Sequence, residues 1–250
     1  MSYLIVANWK MNKTNQESLE LINEINNGVR QPSNVDVVIC PPYTSLVTAA
    51  EVLQNSSISL GSQNMSHEIS GAYTGEISAD MITPYCKYVI LGHSERRMIY
   101  GETNAIVNMK ILKAIDNELI PIICIGENLD QRNEGKLDLI LQEMLQSSLM
   151  GVKNFENLVI AYEPLWAIGT GVSASPEQAN DACGKIRKLL MEYFNKTNED
   201  ITTPILYGGS VNKENIKDFL EQDCIDGALI GSASLNSEQF LSILQTIDIL

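Results

Sequence analysis

Short apolar runs rich in β-branched residues recur along the 250-residue chain: Tyr3 to Ala7, Val35 to Cys40, Ile58 to Gly61, Tyr88 to Leu91, Ile120 to Ile125, Leu158 to Tyr162, Pro204 to Tyr207 and Gly227 to Ile230. Each has the length and composition of a buried strand. Between most of them lie segments whose apolar residues share one helical face, such as Leu19, Ile22, Ile25 and Val29, or Leu137, Ile140, Leu141, Met144 and Leu145. One helix start is spelled out by Ser175-Pro-Glu-Gln178, a capping serine, a first-turn proline and a capping-box glutamine ahead of Ala179, Ala182, Cys183, Ile186 and Leu190. Alternation of this kind predicts parallel strands joined by helices. Eight strand-helix units in 250 residues average about 31 residues each, with no linker, repeat or low-complexity tract between them. The expectation is an α/β fold closed into one eight-stranded barrel, a single catalytic domain over residues 1–250.

Chemistry-bearing residues stand just beyond strand after strand. Asn8 and Lys10 follow the first, His93 the fourth and Glu163 the sixth, while the seventh and eighth run into Gly208-Gly-Ser210 and Gly231-Ser-Ala233. Parallel strands in a barrel all end at one rim, so these groups converge there. His93 precedes Ser94-Glu-Arg-Arg97, a helix start whose N-terminus lowers an imidazole pKa and favours a neutral donor. The competing reading is a core imidazole held by one hydrogen bond. Glu163, between a buried strand and Pro164, is expected to be desolvated, raised in pKa and basic enough to take a proton from carbon; the alternative is a rim ion pair. Lys10 is either a local cation for an anion or a solvated surface lysine. Gly169-Thr-Gly171-Val-Ser-Ala174 formally matches a GxGxxA dinucleotide motif. Pro164 and Trp166 separate it from the strand, however, and the helix starts only near Pro176, so the segment reads as a lid. Glycine and serine after the last two strands fit a phosphate site made of backbone N–H groups, or else two tight turns. His67 is far from His93 in sequence and no metal-ligand spacing occurs.

Composition narrows the partners. A 44% apolar content suits a chain that buries roughly 75% of its unfolded surface on folding. A formal charge of −14 opposes nucleic acid and anionic membranes, so an anionic substrate needs a local positive site. Cys40, Cys86, Cys124, Cys183 and Cys224 are odd in number and contain no CxxC pair, which reads as reduced cytosolic thiols. The start Met1-Ser-Tyr-Leu-Ile-Val-Ala-Asn8 shows no basic leader, and no run has the length of a membrane span. The sequons at Asn12, Asn55, Asn64 and Asn195 are therefore treated as chance.

Five segments carry a resemblance: Ala7-Asn-Trp-Lys-Met-Asn12, Gly71-Ala-Tyr-Thr-Gly-Glu76, Leu91-Gly-His-Ser-Glu-Arg-Arg97, Ala161-Tyr-Glu-Pro-Leu-Trp-Ala-Ile-Gly-Thr-Gly171 and Tyr207-Gly-Gly-Ser-Val211. In that order, from first strand to last, they resemble the triosephosphate isomerase family. The resemblance implies a TIM barrel that interconverts dihydroxyacetone phosphate and glyceraldehyde 3-phosphate in glycolysis and gluconeogenesis, cytoplasmic, without cofactor or metal. It implies Glu163 as base, His93, Asn8 and Lys10 as electrophilic partners, and Glu95 as a further active-site carboxylate. By the same likeness Pro164 to Ala174, with Trp166, is a lid held shut by Tyr207 and Ser210. Gly169, Ser210, Gly231 and Ser232 form a backbone phosphate cradle, and Thr74 lies in a loop reaching the other subunit of a homodimer. Two positions depart from the family pattern: Val172 where many members carry lysine, and Ser232 where a Gly-Gly pair is usual. If residue 232 needs positive φ, its side chain weakens phosphate binding. Two other classes remain in view, a barrel aldolase, which needs a buried Schiff-base lysine at a strand end, and a binding module that has lost a catalytic group.

Overall fold

The computed structural model describes residues 2–29, 34–167, 174–197 and 202–248. Gly169 and Val172 lie outside them. Eight parallel strands close into a barrel in sequence order: β1 (Tyr3–Asn8), β2 (Val35–Cys40), β3 (Ser59–Ser62), β4 (Tyr88–Leu91), β5 (Ile120–Ile125), β6 (Val159–Tyr162), β7 (Ile205–Tyr207) and β8 (Gly227–Ile230). This is the TIM-barrel architecture that the alternating pattern predicts. Strand limits shift by one residue at four places. Asn8 joins β1 because it pairs with Cys40 across the β1–β2 ladder, and β3 runs from Ser59 to Ser62 rather than from Ile58 to Gly61. Leu158 stays outside β6. Pro204 stays outside β7, having no N–H to give, although its carbonyl accepts from the Ile160 N–H at 3.0 Å.

Ten α-helices lie among the described residues: α1 (Asn15–Gly28), α2 (Leu46–Val52), α3 (Ala79–Ile82), α4 (Ser94–Tyr100), α5 (Asn104–Asp116), α6 (Leu129–Asn133), α7 (Leu137–Ser148), α8 (Pro176–Phe194), α9 (Ile216–Leu220) and α10 (Ser237–Ile247). The Ser175–Gln178 capping box forms as its spacing predicts, and α8 buries Ala179, Ala182, Cys183, Ile186 and Leu190 against the barrel. In α1 the buried stripe is Ser18, Leu21, Ile22 and Ile25, while Val29 is the C-cap.

Strand alternation sorts the core into two layers. Leu4, Val6, Val38, Cys40, Ile90, Ile122, Cys124, Val159, Ala161, Leu206 and Leu229 pack together inside the barrel. Ile5, Ala7, Ile39, Val89, Ile123, Ile160 and Ile205 face outward onto the helices. Burying each such aliphatic side chain is worth about 1.5–3 kcal/mol, so a one-residue slip of any strand would forfeit several at once. The same period of two, carried one step beyond the inward residues, places Asn8, Glu163, Gly208 and Gly231 above the barrel interior. The fold thus delivers these positions to the rim before any of their chemistry is considered.

Candidate functional site

A cavity of about 480 Å³ opens over the C-terminal ends of the strands, lined by residues that include Asn8, Lys10, His93, Glu163, Ser210, Gly231 and Ser232. Glu163 is 2% exposed and His93 5%. Glu163 Oε1 lies 3.0 Å from His93 Nε2, and Oε2 accepts the Ser94 N–H at 2.9 Å. Close approach of β5 is part of this placement: a Cβ on Gly126 would stand 1.8 Å from the Glu163 carbonyl oxygen, so only glycine fits there. On the other flank, a Cβ on Gly208 would stand 3.0 Å from Glu163 Cγ.

His93 is the N-cap of α4, as its place before Ser94 predicts, and its Nδ1 accepts the Glu95 N–H at 3.3 Å. An Nδ1 that accepts carries no proton, so the neutral ring bears its proton on Nε2. The expected pKa directions are reversed. Burial alone would raise the Glu163 pKa, but the facing His93 and the Ser94 N–H hold it below the usual carboxylate value. Burial alone would lower the His93 pKa, but Glu163, with help from Glu95, holds it above the usual imidazole value. The sequence shows burial and the helix terminus; the 3.0 Å contact is a property of the pair and outweighs both.

Lys10 sits where β1 turns away from the barrel. Its Nζ lies 2.7 Å from Glu95 Oε1, which answers the open question about this residue: it is ion-paired at the rim, with 29% of its side chain exposed. Its backbone is left-handed, φ 53°, a conformation that costs a residue with a side chain about 1–3 kcal/mol. Two bonds hold it: the Lys10 N–H donates to Asn8 Oδ1 at 3.0 Å, and its carbonyl accepts from Gln63 Nε2 at 2.8 Å. Gln63 has no signal in the sequence beyond standing two residues after the Ile58 to Gly61 run. The Lys10 ammonium reaches toward the β8 turn, with Cε 3.6 Å from where a Cβ on Gly231 would stand.

At that turn Gly231 has φ −90° and Ser232 opens a short 3₁₀ segment, Ser232–Leu235. Positive φ occurs among the described non-glycine residues at Lys10, Lys13, Glu118 and Asn195 only. Ser232 therefore adopts its conformation without strain, and the feared conflict does not arise. Ser210 Oγ donates to the Ala167 carbonyl at 3.0 Å, and Tyr207 Oη accepts the Ala174 N–H at 3.3 Å. Tyr207 and Ser210 are thus tied to the two ends that flank residues 168–173. Burial pushes the Tyr207 phenol up to about 12, which keeps it neutral.

A second buried carboxylate, with no signal in the sequence, lies beside Leu165 and Trp166. Glu127 is 0% exposed. It accepts from Tyr162 Oη at 3.0 and 3.1 Å, from Trp166 Nε1 at 2.9 Å and from Arg132 at 3.4 Å, and its carbonyl takes the Leu165 N–H. Trp166, expected in the lid, is held in this way at its indole nitrogen. Pro164 accepts the Ala167 N–H in the 3₁₀ turn Leu165–Ala167. Thr74 stands in the exposed loop between β3 and α3, outside the cavity.

The desolvated lysine that an aldolase would need is not in this cavity. Lys110, buried and lowered in pKa by burial, is tied to Glu102 and to Asn64 Oδ1 at 2.8 Å, away from the cavity lining. Among the described residues no group of three or more His, Cys, Asp or Glu side chains is placed to hold a metal ion, and no helix is long and apolar enough to cross a membrane.

A closed parallel barrel whose rim gathers a carboxylate, an imidazole and an ammonium group around one polar cavity defines an acid–base enzyme of the α/β-barrel class. The family model described as triosephosphate isomerase matches residues 3–247. Similar proteins include the triosephosphate isomerases of Dehalococcoides mccartyi (strain CBDB1), 45% identical over 240 residues covering 96% of this chain and 94% of the relative, and of Dictyoglomus thermophilum, 46% identical over 246 residues covering 97% and 98%. That of Aquifex aeolicus is 44% identical over 246 residues, covering 98% and 99%. The chain belongs to the triosephosphate isomerase family.

Proposed function

We propose that this chain, acting as a single catalytic domain over residues 1–250, interconverts dihydroxyacetone phosphate and glyceraldehyde 3-phosphate with Glu163 as the base. The observation that carries the reading is the buried Glu163 carboxylate, 3.0 Å from His93 Nε2, at the floor of a cavity that also holds Asn8 and Lys10. Glu163 Oε takes the proton from the carbon beside the carbonyl, and the electron pair moves onto the carbonyl oxygen to give an enediolate. The negative charge developing there is met by the Nε2–H of His93, the ammonium of Lys10 and the amide of Asn8, fixed dipoles that need no reorganisation. His93 Nε2 gives its proton to that oxygen and takes the proton of the neighbouring hydroxyl, and Glu163 then returns its proton to the adjacent carbon, so that the second oxygen becomes the carbonyl.

Both oxygens of the Glu163 carboxylate are engaged, one facing His93 and the other bonded to the Ser94 N–H. Glu163 must release these bonds to reach substrate carbon, and His93 then points its Nε2–H at substrate oxygen. Glu95, paired with Lys10, keeps the ammonium placed for the incoming anion. The phosphate lies against backbone N–H groups at Ser210, Gly231, Ser232 and Gly169, beside the Lys10 ammonium. Pro164 to Ala174, including Trp166, closes over it as a lid, with Tyr207 and Ser210 as its latch. The bonds of those two residues to Ala174 and Ala167 support that role.

No metal or organic cofactor enters the scheme, since the proton balance closes within these side chains. A cytoplasmic homodimer completes the reading, with the Thr74 loop reaching the other subunit. Exposed apolar side chains support it, among them Met11 at 95%, Ile99 at 69%, Tyr100 at 68% and Tyr73 at 47%. Isomerisation of glyceraldehyde 3-phosphate by the purified chain, followed through a coupled dehydrogenase, is the test. Rapid turnover that collapses in Glu163→Gln supports reaction and base together; no turnover by the folded native chain sinks the reading.

A further inference from the structure

We infer that Gln63 is a positioning residue for this reaction, acting through the backbone of Lys10. Gln63 directly follows β3, and its Nε2 donates to the Lys10 carbonyl at 2.8 Å and to the Cys40 carbonyl at 2.9 Å. An amide nitrogen has two hydrogens, and these two bonds use both. The Cys40 carbonyl also accepts the Trp9 N–H at 3.2 Å, beyond the last paired residues of β1 and β2. One side chain therefore ties together the ends of three consecutive strands.

What it ties down is a strained residue. A left-handed φ of 53° at a lysine persists only where the surroundings over-determine it. The Asn8 bond fixes the N–H side of Lys10, and the Gln63 bond fixes the carbonyl side. Side-chain direction follows from backbone dihedrals, so the pair together aims the ammonium, which ends 4.0 Å from the site of a Cβ on Gly231. Without the Gln63 donor the carbonyl is free to turn, φ relaxes toward ordinary negative values, and the ammonium leaves the place where it meets an anion. A displacement of about 1 Å at a positioned charge is enough to cost up to about a hundredfold in rate.

This inference rests on Lys10 being a substrate-binding group, and the experiment separates the two. Gln63→Met keeps side-chain length and removes both donors. It is measured alone and combined with Lys10→Met, reading kcat, KM and inhibition by inorganic phosphate. Expected is a fall in kcat/KM of about tenfold to a hundredfold in the native background, carried largely by KM, with weaker phosphate inhibition. In the Lys10→Met background the same substitution changes kcat/KM by less than about threefold, because the group it acts through is gone. Equal losses in both backgrounds, or a lowered Tm with unchanged KM and phosphate inhibition, overturn the positioning role. A Lys10→Met variant with native kinetics overturns the assignment of Lys10 first. Should Gln63→Met not fold, Gln63→Asn, which keeps the amide one methylene short of both carbonyls, is judged on the same kinetics.

Discussion

Among the described residues two buried acid–base pairs sit in this barrel, Glu163 with His93 and Glu102 with Lys110, and one of the two borders the cavity. Glu163 and His93 face each other at 3.0 Å on the floor of the rim cavity. Glu102, in the turn between α4 and α5, and Lys110, on α5, are 6% and 4% exposed and pair with each other; Glu102 also accepts from Arg96 at 3.1 Å, and Lys110 donates to Asn64. In both pairs the partner outweighs burial and holds the carboxyl below its usual pKa. The carboxyl shift therefore does not separate them, although burial lowers the Lys110 pKa while Glu163 raises that of His93. The difference lies in what each bond can be exchanged for: the bonds of Glu163 can be traded for bonds to a ligand entering the cavity, whereas those of Glu102 can be traded only for unpaired charge.

The comparison breaks most sharply by mutation of each acid. Glu163→Gln is expected to lower kcat/KM by about 10⁴-fold, near the upper range for a lost general base, with only a modest loss of stability because His93 can stay neutral once its partner is gone. Glu102→Ala should do the reverse. Leaving Lys110 uncompensated costs about 3–5 kcal/mol in denaturant unfolding, while kcat of the folded fraction stays native. Replacing both members, Glu102→Met with Lys110→Met, should recover most of that loss. If Glu102→Ala instead abolished turnover in a stable protein, the division between the two pairs would fail.

A smaller effect is the pH dependence of the catalytic pair. The Glu163 pKa is depressed on folding, so its contribution to stability is present above about 4.5, its ordinary value, and fades as pH falls through the lower folded value. The His93 pKa is raised, so its contribution is full below about 6.5 and fades as pH climbs through the higher folded value. The stability that native protein holds over Glu163→Gln should accordingly peak between about pH 4.5 and 6.5 and shrink on either side, in urea titrations across that range. A flat difference would mean that the two groups are not coupled.

The smallest effect expected is at Trp166. Trp166→Phe removes one donor to Glu127, keeps an aromatic ring, though a smaller one, and leaves Glu127 with Tyr162 and Arg132. Stability should fall by about 1 kcal/mol, with a change in kcat of a few fold through the lid rather than through the chemistry.

Much of the site was legible because strand order and alternation are local properties. Asn8, Lys10, His93, Glu163 and the two glycine-serine turns could be assigned to one rim from the spacing of apolar runs alone, and the barrel brings them there. Gln63 and Glu127 were not legible. Each is a polar residue in a polar loop, and its partners, Lys10 and Cys40 for one and Tyr162 and Trp166 for the other, come from different strand ends that meet only after closure. The pKa directions at Glu163 and His93 were misread for the same reason: burial is suggested by flanking sequence, but a 3.0 Å contact between residues 70 positions apart is not. The strain at Lys10 likewise has no signature in Asn8-Trp-Lys-Met-Asn12.

The seam of the barrel has a consequence in time. Leu4 pairs with Gly227, Ile5 with Ala228, Val6 with Leu229 and Ala7 with Ile230, so the first strand formed finds one of its two neighbours only when the eighth is available. Until then β1 and its outward neighbours keep an unpaired edge, of the kind other chains can add to. During synthesis, at about 5–20 residues per second, that edge stays open for tens of seconds. The residues that end up deepest in the finished barrel are thus, for most of the chain's assembly, the ones most in need of shelter.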